Sequence, residues 1–550
     1  MVGPAHAPSP SASKLPRTAL LSPRVGARTL HADPQSSPPV PLSGFLGDLM
    51  LDSLLKAGRD AAVAEAPPYV AGHWGGSGPA STRTGPYLRH VVSRTSTATG
   101  DEISRALAWA RPSARTVAGL APALRADVLD RASRAASAHR EGLARLLALE
   151  LGKPVKDGLG EIDRVADTFA VCAAEARHIG GETLPVAGWA RGVGNTAFTY
   201  RAPAGVALAI TPFNAPANLL AHKLGASFAA GNTTLVKAPP QAPASTAAIV
   251  ALLLESGMPP QGVQLLHGGG EVGAVLCAAD EVAVISFTGS AETGRAVARA
   301  AGAKRLVLEL GGNAATIVCE DADIGQAAKE CARTGYSNSG QSCVSVQRVY
   351  VHRSRYATFL DAFTAAVDTL KVGDPLDPAT DVGSMVDEEA AERVVRWSAE
   401  AAASGARVLR GGTRDGATAA PTVVADPAPD SSVVVHEVFG ALVAVLPYDD
   451  FSAVIDLCNA SRYGLQAGLF TRDLGRVVTA WRELETGALI VGGTSNHRLD
   501  HVPFGGVKDS GFGRETPRSM IDDYTVVKTL MLRGLSVWGD TTSIDGESTE

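Results

Sequence analysis

A cysteine and a glutamate stand in small-residue turns where they could do chemistry. Cys343 closes the segment Ser339–Cys343 (SGQSC), and Glu309 is followed by Leu310-Gly311-Gly312 at the end of a predicted strand. A thiolate attacks electrophilic carbon, and a positioned carboxylate can act as a general base. Glycines allow a second backbone to approach closely. Taken alone, however, a lone cysteine is usually inert and buried, and a lone glutamate is usually solvated or paired.

Other polar segments follow predicted strands along the chain. They are Thr211–Pro216 (TPFNAP), Gly231–Lys237 (GNTTLVK), Phe287–Ser290 (FTGS), Glu437–Gly440 (EVFG) and Pro503–Glu515 (PFGGVKDSGFGRE). The turn at Gly289 and Ser290 opens a predicted helix, whose first N–H groups can bind a phosphate. The alternative is that Ser290 only caps that helix.

The segment Gly268–Gly273 (GGGEVG) matches the glycine pattern of a dinucleotide-binding turn. It follows a predicted strand and precedes a predicted helix, as such a turn requires. No acidic residue stands out about 20 residues further on, where a ribose ligand is expected. Cofactor contact and a simple tight turn therefore both stay open.

Short apolar runs alternate with helical stretches from residue 205 onward. The predicted strands are Gly205–Ile210, Thr233–Lys237, Gln264–His267, Val282–Phe287, Val307–Leu310 and Ala314–Val318. The predicted helices between them are Leu219–Ala230, Ser245–Glu255, Glu271–Ala278 and Thr293–Ala301. This alternation predicts an α/β fold with a parallel sheet covered on both faces.

Composition excludes several classes of protein. The chain has 550 residues and a net charge of -6, so there is no basic excess of the kind that nucleic-acid binding needs. No apolar run reaches the roughly 18 residues of a membrane-spanning helix. Six cysteines without a CxxC pair are too sparse for a disulfide framework or a zinc ribbon. We expect no nucleic-acid partner, no membrane segment and no metal site.

The first 65 residues differ from the rest. Residues 1–41 are rich in Pro, Ser and Ala and show no clear period, so we expect a disordered tail over residues 1–65. The segment is also basic before Asp33, which leaves a transit peptide open. A start codon assigned too early is a further alternative, with Met50 as an internal start.

In this order the motifs resemble the aldehyde dehydrogenase superfamily, from about Tyr69 to about Leu532. The resemblance implies a Rossmann-type cofactor domain (66–187 and 205–308) and an α/β catalytic domain (309–515). It also implies a small β oligomerisation element (188–204 and 520–534), and hence a homodimer or homotetramer. A cytoplasmic location is expected.

The resemblance also implies roles. Cys343 matches the nucleophile, Asn214 the amide donor to the oxyanion, and Glu309 the base that activates water. Retention of Glu309 favours release of a free carboxylic acid over transfer to coenzyme A. The alternatives are a catalytically silent binding relative and a specialised semialdehyde dehydrogenase.

The implied cofactor is NAD or NADP. The positions that match the cofactor site are Lys237, Thr211, Pro212, Phe213, Gly289, Ser290, Glu437 and Phe439. In NAD-selective members an acidic residue often lies three positions after the lysine, and here that position is Pro240. The absence of a carboxylate there permits NADP without requiring it.

The implied substrate is a small aldehyde. Arg498, His501 and Phe504 are the candidate substrate residues, since an arginine or a histidine can bind a hydroxyl, carboxylate or phosphate. The alternative is that Arg498 pairs with Asp500 or faces another subunit. Residues 338–351 and 501–515 resemble the branch that handles lactaldehyde and phosphonoacetaldehyde. Two residues depart from the family pattern. Ala441 replaces the usual Pro after the EVFG segment, and Gly492 replaces the usual Asn before residues 494–501, which leaves the orientation of the substrate open.

Overall fold

Five parallel strands form the centre of the largest sheet, in a computed structural model that describes residues 47–535. The eight strands of this sheet are, in spatial order, Gly511–Phe512, Arg305–Glu309, Val284–Thr288, Val206–Ile210, Thr233–Lys237, Val263–Leu266, Tyr69–Val70 and His73–Trp74. The strands beginning at Val206, Thr233 and Val263 are buried throughout, because helices cover both faces of a parallel sheet. The predicted α/β class is confirmed.

A second sheet of seven strands carries the rest of the chain. Its strands are, in spatial order, Arg407–Arg410, Thr422–Ala425, Leu442–Tyr448, Arg348–His352, Ala315–Val318, Gln466–Phe470 and Ala488–Val491. All neighbours are parallel except the first pair. Two three-stranded sheets are made by Ala64–Glu65, Val91–Ser96 and Ala80–Thr84, and by Thr525–Arg533, Asn195–Pro203 and Thr183–Leu184. Two-stranded pairs join Arg414–Asp415 to Thr418–Ala419, and Tyr463–Gly464 to Val507–Lys508.

The helices pack on the faces of these sheets. Those before residue 195 are Gly47–Asp60, Gly100–Ala118, Pro122–Ala138, Arg140–Leu151 and Val155–Arg177. Those that alternate with the five parallel strands are Pro216–Leu220, Ala226–Ala230, Pro243–Glu255, Gly270–Ala278 and Ala291–Ala301. The remainder are Ile324–Tyr336, Arg353–Val367, Glu388–Ala403, Ser432–Val435, Phe451–Asn459, Leu474–Glu483 and Pro517–Asp523. No helix among residues 47–535 is long and apolar enough to cross a membrane.

The order of the parallel strands places a crevice. Val206–Ile210 is the first of the five in the chain, and its neighbours are the second strand, Thr233–Lys237, and the fourth, Val284–Thr288. The connections therefore leave in opposite directions beside Val206–Ile210. Open α/β sheets bind ligands at such a switch point, beyond the carboxyl ends of the strands.

The structure differs from the predicted extent of the tail. The helix Gly47–Asp60 and the strand Ala64–Glu65 lie within the predicted tail of residues 1–65, and Leu51, Leu54 and Leu55 are fully buried. These leucines recur at i, i+3 and i+4, a helical face that the low apolar content of the preceding residues obscured. The part of the tail prediction that covers residues 1–46 lies outside the described residues.

The predicted oligomerisation strands also differ in extent. Residues 188–194 form short turns before the strand Asn195–Pro203, and residues 520–523 belong to the helix Pro517–Asp523. Pro517 suits a first helical turn, where its missing N–H is not needed. The strand Gly511–Phe512 pairs antiparallel with Arg305–Glu309, so part of the predicted catalytic segment 309–515 completes the other sheet.

Candidate active site

A cavity of about 890 Å³ opens at the switch point of the large sheet. Every predicted cofactor residue lines it: Thr211, Pro212, Phe213, Lys237, Gly289, Ser290, Glu437 and Phe439. Asn214 and Cys343 line the same cavity. The structure therefore gathers in one place residues that are up to about 230 positions apart in the chain. Gly269, Gly270 and Gly273 also lie on its wall, so the glycine-rich turn borders the cavity.

Cys343 is presented by a backbone held in an unusual conformation. Asn338, Ser339 and Gly340 have φ values of 50°, 56° and 72°, three successive left-handed residues. Such a conformation costs of order 1–3 kcal/mol for each non-glycine residue and persists only where neighbours enforce it. Here the Asn338 N–H donates to Asp157 Oδ2 at 2.7 Å, and Ser339 Oγ donates to the Gly383 carbonyl at 3.0 Å.

The backbone of Cys343 is packed directly against Gly312. A Cβ on Gly312 would lie 2.2 Å from the Cys343 carbonyl oxygen, so only glycine fits there. The half-buried Cys343 side chain packs against a small apolar cluster of Val344, Leu465 and Phe504. Burial, and then the negative charges of Glu437 and Glu309, raise the pKa of the Cys343 thiol to about 12. The site therefore holds a neutral thiol and favours any positive charge placed beside it.

The carboxyl of Glu309 is buried, and it has no hydrogen-bond partner within residues 47–535. The residue is 3% exposed, and neither side-chain oxygen is hydrogen-bonded among the described residues. Its carboxyl lies over Gly505, where a Cβ would stand 2.7 Å from Oε1. Burial, and then the charge of Glu515, raise the pKa of Glu309 well above its usual value. A raised pKa makes the carboxylate a stronger base toward a bound water.

Asn214 is fixed by the residues around Cys343. Its Nδ2 donates to the Gln341 carbonyl at 3.0 Å, two residues before the cysteine. The backbone carbonyl of Asn214 accepts from Lys153 Nζ at 2.6 Å and from Asn338 Nδ2 at 3.1 Å. Lys153 is itself paired with the buried Glu161. The amide is therefore pre-organised on the cavity wall beside Cys343.

Glu437 lies in a cradle made by two glycines. Its Oε1 accepts from the Gly312 N–H at 2.8 Å, and a Cβ on Gly311 would lie 2.1 Å from Oε2. Burial raises the pKa of Glu437 to about 7. Two residues later Phe439 has a φ of 47°, and its ring meets Phe213 edge-on at 5.8 Å. Glu437 and this aromatic pair thus line the end of the cavity that also holds Cys343.

The cavity wall fits a dinucleotide. Thr211 Oγ1 is buried without a hydrogen-bond partner among the described residues and lies on the wall. Lys237 is also on the wall, and burial lowers the pKa of its ammonium to about 8. Ser290 caps the helix Ala291–Ala301 by accepting from the Thr293 N–H at 3.2 Å. The predicted helix cap is therefore present, at a helix N-terminus that faces the cavity.

A π-helical turn places two charged residues behind the site. Residues 221–225 form this turn between Pro216–Leu220 and Ala226–Ala230, and it contains the fully buried His222 and Lys223. Lys223 is paired with Glu515 and donates to Thr288 Oγ1 at 2.7 Å. Although burial opposes ionisation, Lys223 and then Arg498 lower the pKa of Glu515 to about 2. Extra turns of this kind are frequent at functional sites.

Asp500 joins the second half of this buried network. It accepts from Arg164 at 2.7 and 2.9 Å and lies 2.8 Å from His222 Nε2. Burial opposes its ionisation, but the hydrogen bonds from His222 and Arg164 hold the pKa of Asp500 far below its usual value. Burial, and then the charge of Arg498, lower the pKa of His222 to about 4. His222 is therefore neutral near pH 7.

Arg498 lies between the buried network and the apolar cluster next to Cys343. Its guanidinium lies 4.0 Å above the ring of Phe504, a member of that cluster. It also approaches Glu515 Oε2 at 3.4 Å and Asp500 Oδ1 at 3.6 Å, so the alternative of an Arg498–Asp500 pair is met as well. His501 is exposed, and none of the three candidate substrate residues, Arg498, His501 and Phe504, lines the 890 Å³ cavity.

Sequence reasoning missed the roles of His222, Lys223 and Arg164. A usable signal was present for two of them, since His222 and Lys223 interrupt the otherwise apolar predicted helix Leu219–Ala230. Charged side chains in a fully buried helix are rare unless paired. Arg164 carried no comparable signal, because its partner Asp500 is over 300 residues away.

The sheet order, the cavity and the reactive side chains define a dinucleotide-dependent oxidoreductase with a cysteine at its centre. The sequence profile of the aldehyde dehydrogenase family matches residues 76–530. The 3-sulfolactaldehyde dehydrogenase of Priestia aryabhattai is 40% identical over 465 residues, 84% of this chain and 97% of that protein.

Solved structures show the same relationship. Aldehyde dehydrogenase 21 of Physcomitrella patens, in complex with the reaction product succinate, aligns with a TM-score of 0.82 and 32% identity over 86% of this chain and 99% of its own. The glyceraldehyde-3-phosphate dehydrogenase of Methanocaldococcus jannaschii, complexed with NADP, aligns with a TM-score of 0.79 and 31% identity over 83% and 99%. The chain belongs to the aldehyde dehydrogenase family. It is an oxidoreductase that acts on aldehydes with NAD or NADP as acceptor.

Proposed function

We propose that this chain oxidises a short aldehyde bearing an anionic group to the free carboxylic acid, with Cys343, Asn214 and Glu309 as its catalytic residues. The observation that carries the catalytic assignment is the meeting of Cys343 and Asn214 on one cavity wall with the strand-end cofactor residues. Glu309 lies close enough to raise the pKa of the Cys343 thiol.

Chemistry starts when the Cys343 thiol releases its proton to solvent, a step that a positive charge beside it favours, and the resulting thiolate adds to the aldehyde carbon. The carbonyl oxygen becomes an oxyanion, which accepts hydrogen bonds from Asn214 Nδ2 and from the Cys343 N–H. One such donor typically stabilises the transition state by about 3 kcal/mol. When bound, the oxidised nicotinamide supplies the hydride acceptor and a positive charge beside Cys343. Loss of hydride from the substrate carbon leaves a thioester on the cysteine.

Hydrolysis then needs a base for water. Glu309 takes a proton from water as the hydroxide adds to the thioester carbon, and the Cys343 thiolate leaves. The acid product and the free cysteine result, with no need for coenzyme A. The raised pKa of Glu309 makes its carboxylate a stronger base for this proton.

The charge behind the cysteine supports an anionic substrate. Among the described residues, Arg164, Arg498 and Lys223 form their ion pairs with Asp500 and Glu515, so these five groups carry one net positive charge. The Glu309 carboxyl interacts with the same cations but has a raised pKa, so it offsets this charge only when it is ionised. The related proteins carry names that refer to 3-sulfolactaldehyde, succinate and glyceraldehyde-3-phosphate, each with an acidic group. Arg498 and Phe504 are the proposed contacts, and His501 has no structural support in this role.

A panel of aldehydes tests this proposal. Sulfonated, carboxylated and phosphorylated aldehydes are compared with uncharged analogues of equal length, each with NAD or NADP, by absorbance of the reduced cofactor. We expect kcat/KM at least tenfold higher for an anionic aldehyde, and an acid product without coenzyme A by mass spectrometry. Absence of signal with every aldehyde would contradict the enzymatic assignment. A preference for uncharged analogues would contradict only the substrate class.

We also propose a cofactor domain of residues 66–187 and 205–308, a catalytic domain of residues 309–515, and assembly as a homodimer or homotetramer. The strand Thr525–Arg533 is the outer strand of its sheet and exposes Val527, Leu530 and Met531 by 59%, 57% and 49%. Open apolar edges are usually covered. Light scattering after size exclusion measures the assembly, and Leu530→Lys is expected to reduce it. The cytoplasmic location stays a prediction for cell fractionation to test.

A further inference from the structure

The carboxylate of Glu271 lies against the wall of the cofactor cavity. It belongs to the first turn of the helix Gly270–Ala278, whose residues Gly270 and Gly273 line the cavity. Its Oε1 accepts from the Gly269 N–H at 2.8 Å, and a Cβ on Gly269 would stand 2.4 Å from Oε2. Gly269 is itself a wall residue, so the charge is held at the surface of the cavity.

Lys237 is the cation on the same part of the wall. Its ammonium has no hydrogen-bond or ion-pair partner among the described residues. Lys237 ends a strand that pairs in register with Leu266, and the Ala238 N–H donates to the Leu266 carbonyl at 3.0 Å, so the lysine lies next to the turn that carries Gly269 and Glu271. Consistent with this placement, burial lowers the pKa of Lys237 and the negative charge of Glu271 partly opposes that effect. Pro240 and Gln241, the neighbouring wall residues, carry no charge. Glu271 is thus the anionic counterpart of Lys237 at this end of the cavity.

We propose that Glu271 is a specificity-determining residue that disfavours a 2′-phosphate on the cofactor and so favours NAD over NADP. The inference rests on the proposed function and on the role that the family resemblance implies for Lys237, contact with the adenosine ribose of the cofactor. A ribose hydroxyl can donate to the Glu271 carboxylate, whereas a 2′-phosphate adds negative charge beside it. Glu271, in the first turn of the helix Gly270–Ala278, therefore supplies the acidic group that is missing at position 240.

Binding measurements on the full-length chain test this role without turnover. Titration calorimetry gives the Kd of NAD and of NADP for the unmodified chain and for Glu271→Gln, which keeps the size of the side chain and removes its charge. We expect NADP to bind about tenfold more tightly to the variant. This is the size of effect expected from removing one repulsion between like charges where the effective dielectric constant lies between that of a protein surface and that of water. The Kd of NAD should change less than threefold, and added salt should reduce the difference.

Asp280→Asn is the matched control. Asp280 is exposed just beyond the far end of the same helix, so the variant removes the same charge at a distance from Lys237. It should leave both Kd values unchanged. Three results would overturn the assignment. The Kd values of NAD and NADP could change equally in Glu271→Gln, neither Kd could change in that variant, or Asp280→Asn could bind NADP as much more tightly as Glu271→Gln does. If the unmodified chain binds neither NAD nor NADP, the proposed cofactor site itself is refuted. That result differs from one in which both cofactors bind and Glu271→Gln leaves the Kd of NADP unaltered, which refutes only the role of Glu271.

Discussion

Replacement of Gly312 by alanine should disable the nucleophile without touching its side chain. The added Cβ would lie 2.2 Å from the Cys343 carbonyl oxygen, whereas ordinary contacts begin at 3.4 Å. The two backbones must therefore separate by about 1.2 Å. A misplacement of about 1 Å costs roughly 100-fold in rate, or about 2.7 kcal/mol of barrier.

Steady-state absorbance of the reduced cofactor measures this loss with the best aldehyde of the panel. The rate of alkylation of Cys343 by iodoacetamide reports the position of the thiol independently, and thermal unfolding reports stability, which we expect to fall by about 1–3 kcal/mol. Gly160→Ala is the control, because a Cβ there meets nothing within 4 Å in the helix Val155–Arg177. This control should be as active as the unmodified chain and slightly more stable.

A folded Gly312→Ala variant that keeps more than a third of the activity would refute the reasoning. If Gly312→Ala does not fold, Gly311→Ala provides the second measurement. A Cβ on Gly311 would lie 2.1 Å from Glu437 Oε2, the end of a flexible side chain that can move aside. That variant should weaken cofactor binding more than it slows alkylation of Cys343, and the reverse pattern would also count against the assigned roles.

Three further outcomes follow from the assigned roles. Cys343→Ala should abolish turnover while calorimetry still detects the cofactor; retained turnover would exclude Cys343 as nucleophile. Glu309→Gln should give a burst of reduced cofactor followed by slow release of acid. In the unmodified chain, hydrolysis of the thioester should accelerate as pH rises through the raised pKa of Glu309, because only the ionised carboxylate accepts a proton. An unchanged steady-state rate in Glu309→Gln would exclude Glu309 as the base. Arg498→Met should raise KM about tenfold for the anionic aldehyde and less than threefold for its uncharged analogue; equal effects on both would indicate a structural role.

The sequence predicted the strands that carry the site because each is short, apolar and followed by a polar turn. Val206–Ile210 and Thr233–Lys237 lie within one residue of their predicted bounds. The residues that follow these strands therefore line one cavity, since parallel strands end at a common edge of the sheet.

Pairs that join distant segments were not predictable in the same way. The Arg164–Asp500 and Lys223–Glu515 pairs depend on the packing of helices against loops more than 290 residues away. Local patterns carry no record of such a partner. The left-handed backbone at Asn338 and Ser339 was equally hidden, because those residues adopt it only where surrounding contacts enforce it.

The strand Gly511–Phe512 has a consequence for how this chain is made. It covers the edge of Arg305–Glu309 through the pairs Leu308–Phe512 and Glu309–Gly511. About 200 residues separate the two strands, and a ribosome adds roughly 5–20 residues per second, so the earlier strand waits on the order of 10–40 s for its neighbour. During synthesis its open edge is a template for pairing with other nascent chains. A chain that stops before residue 511 keeps that edge permanently, so we expect such fragments to depend on chaperones even though they contain all five parallel strands.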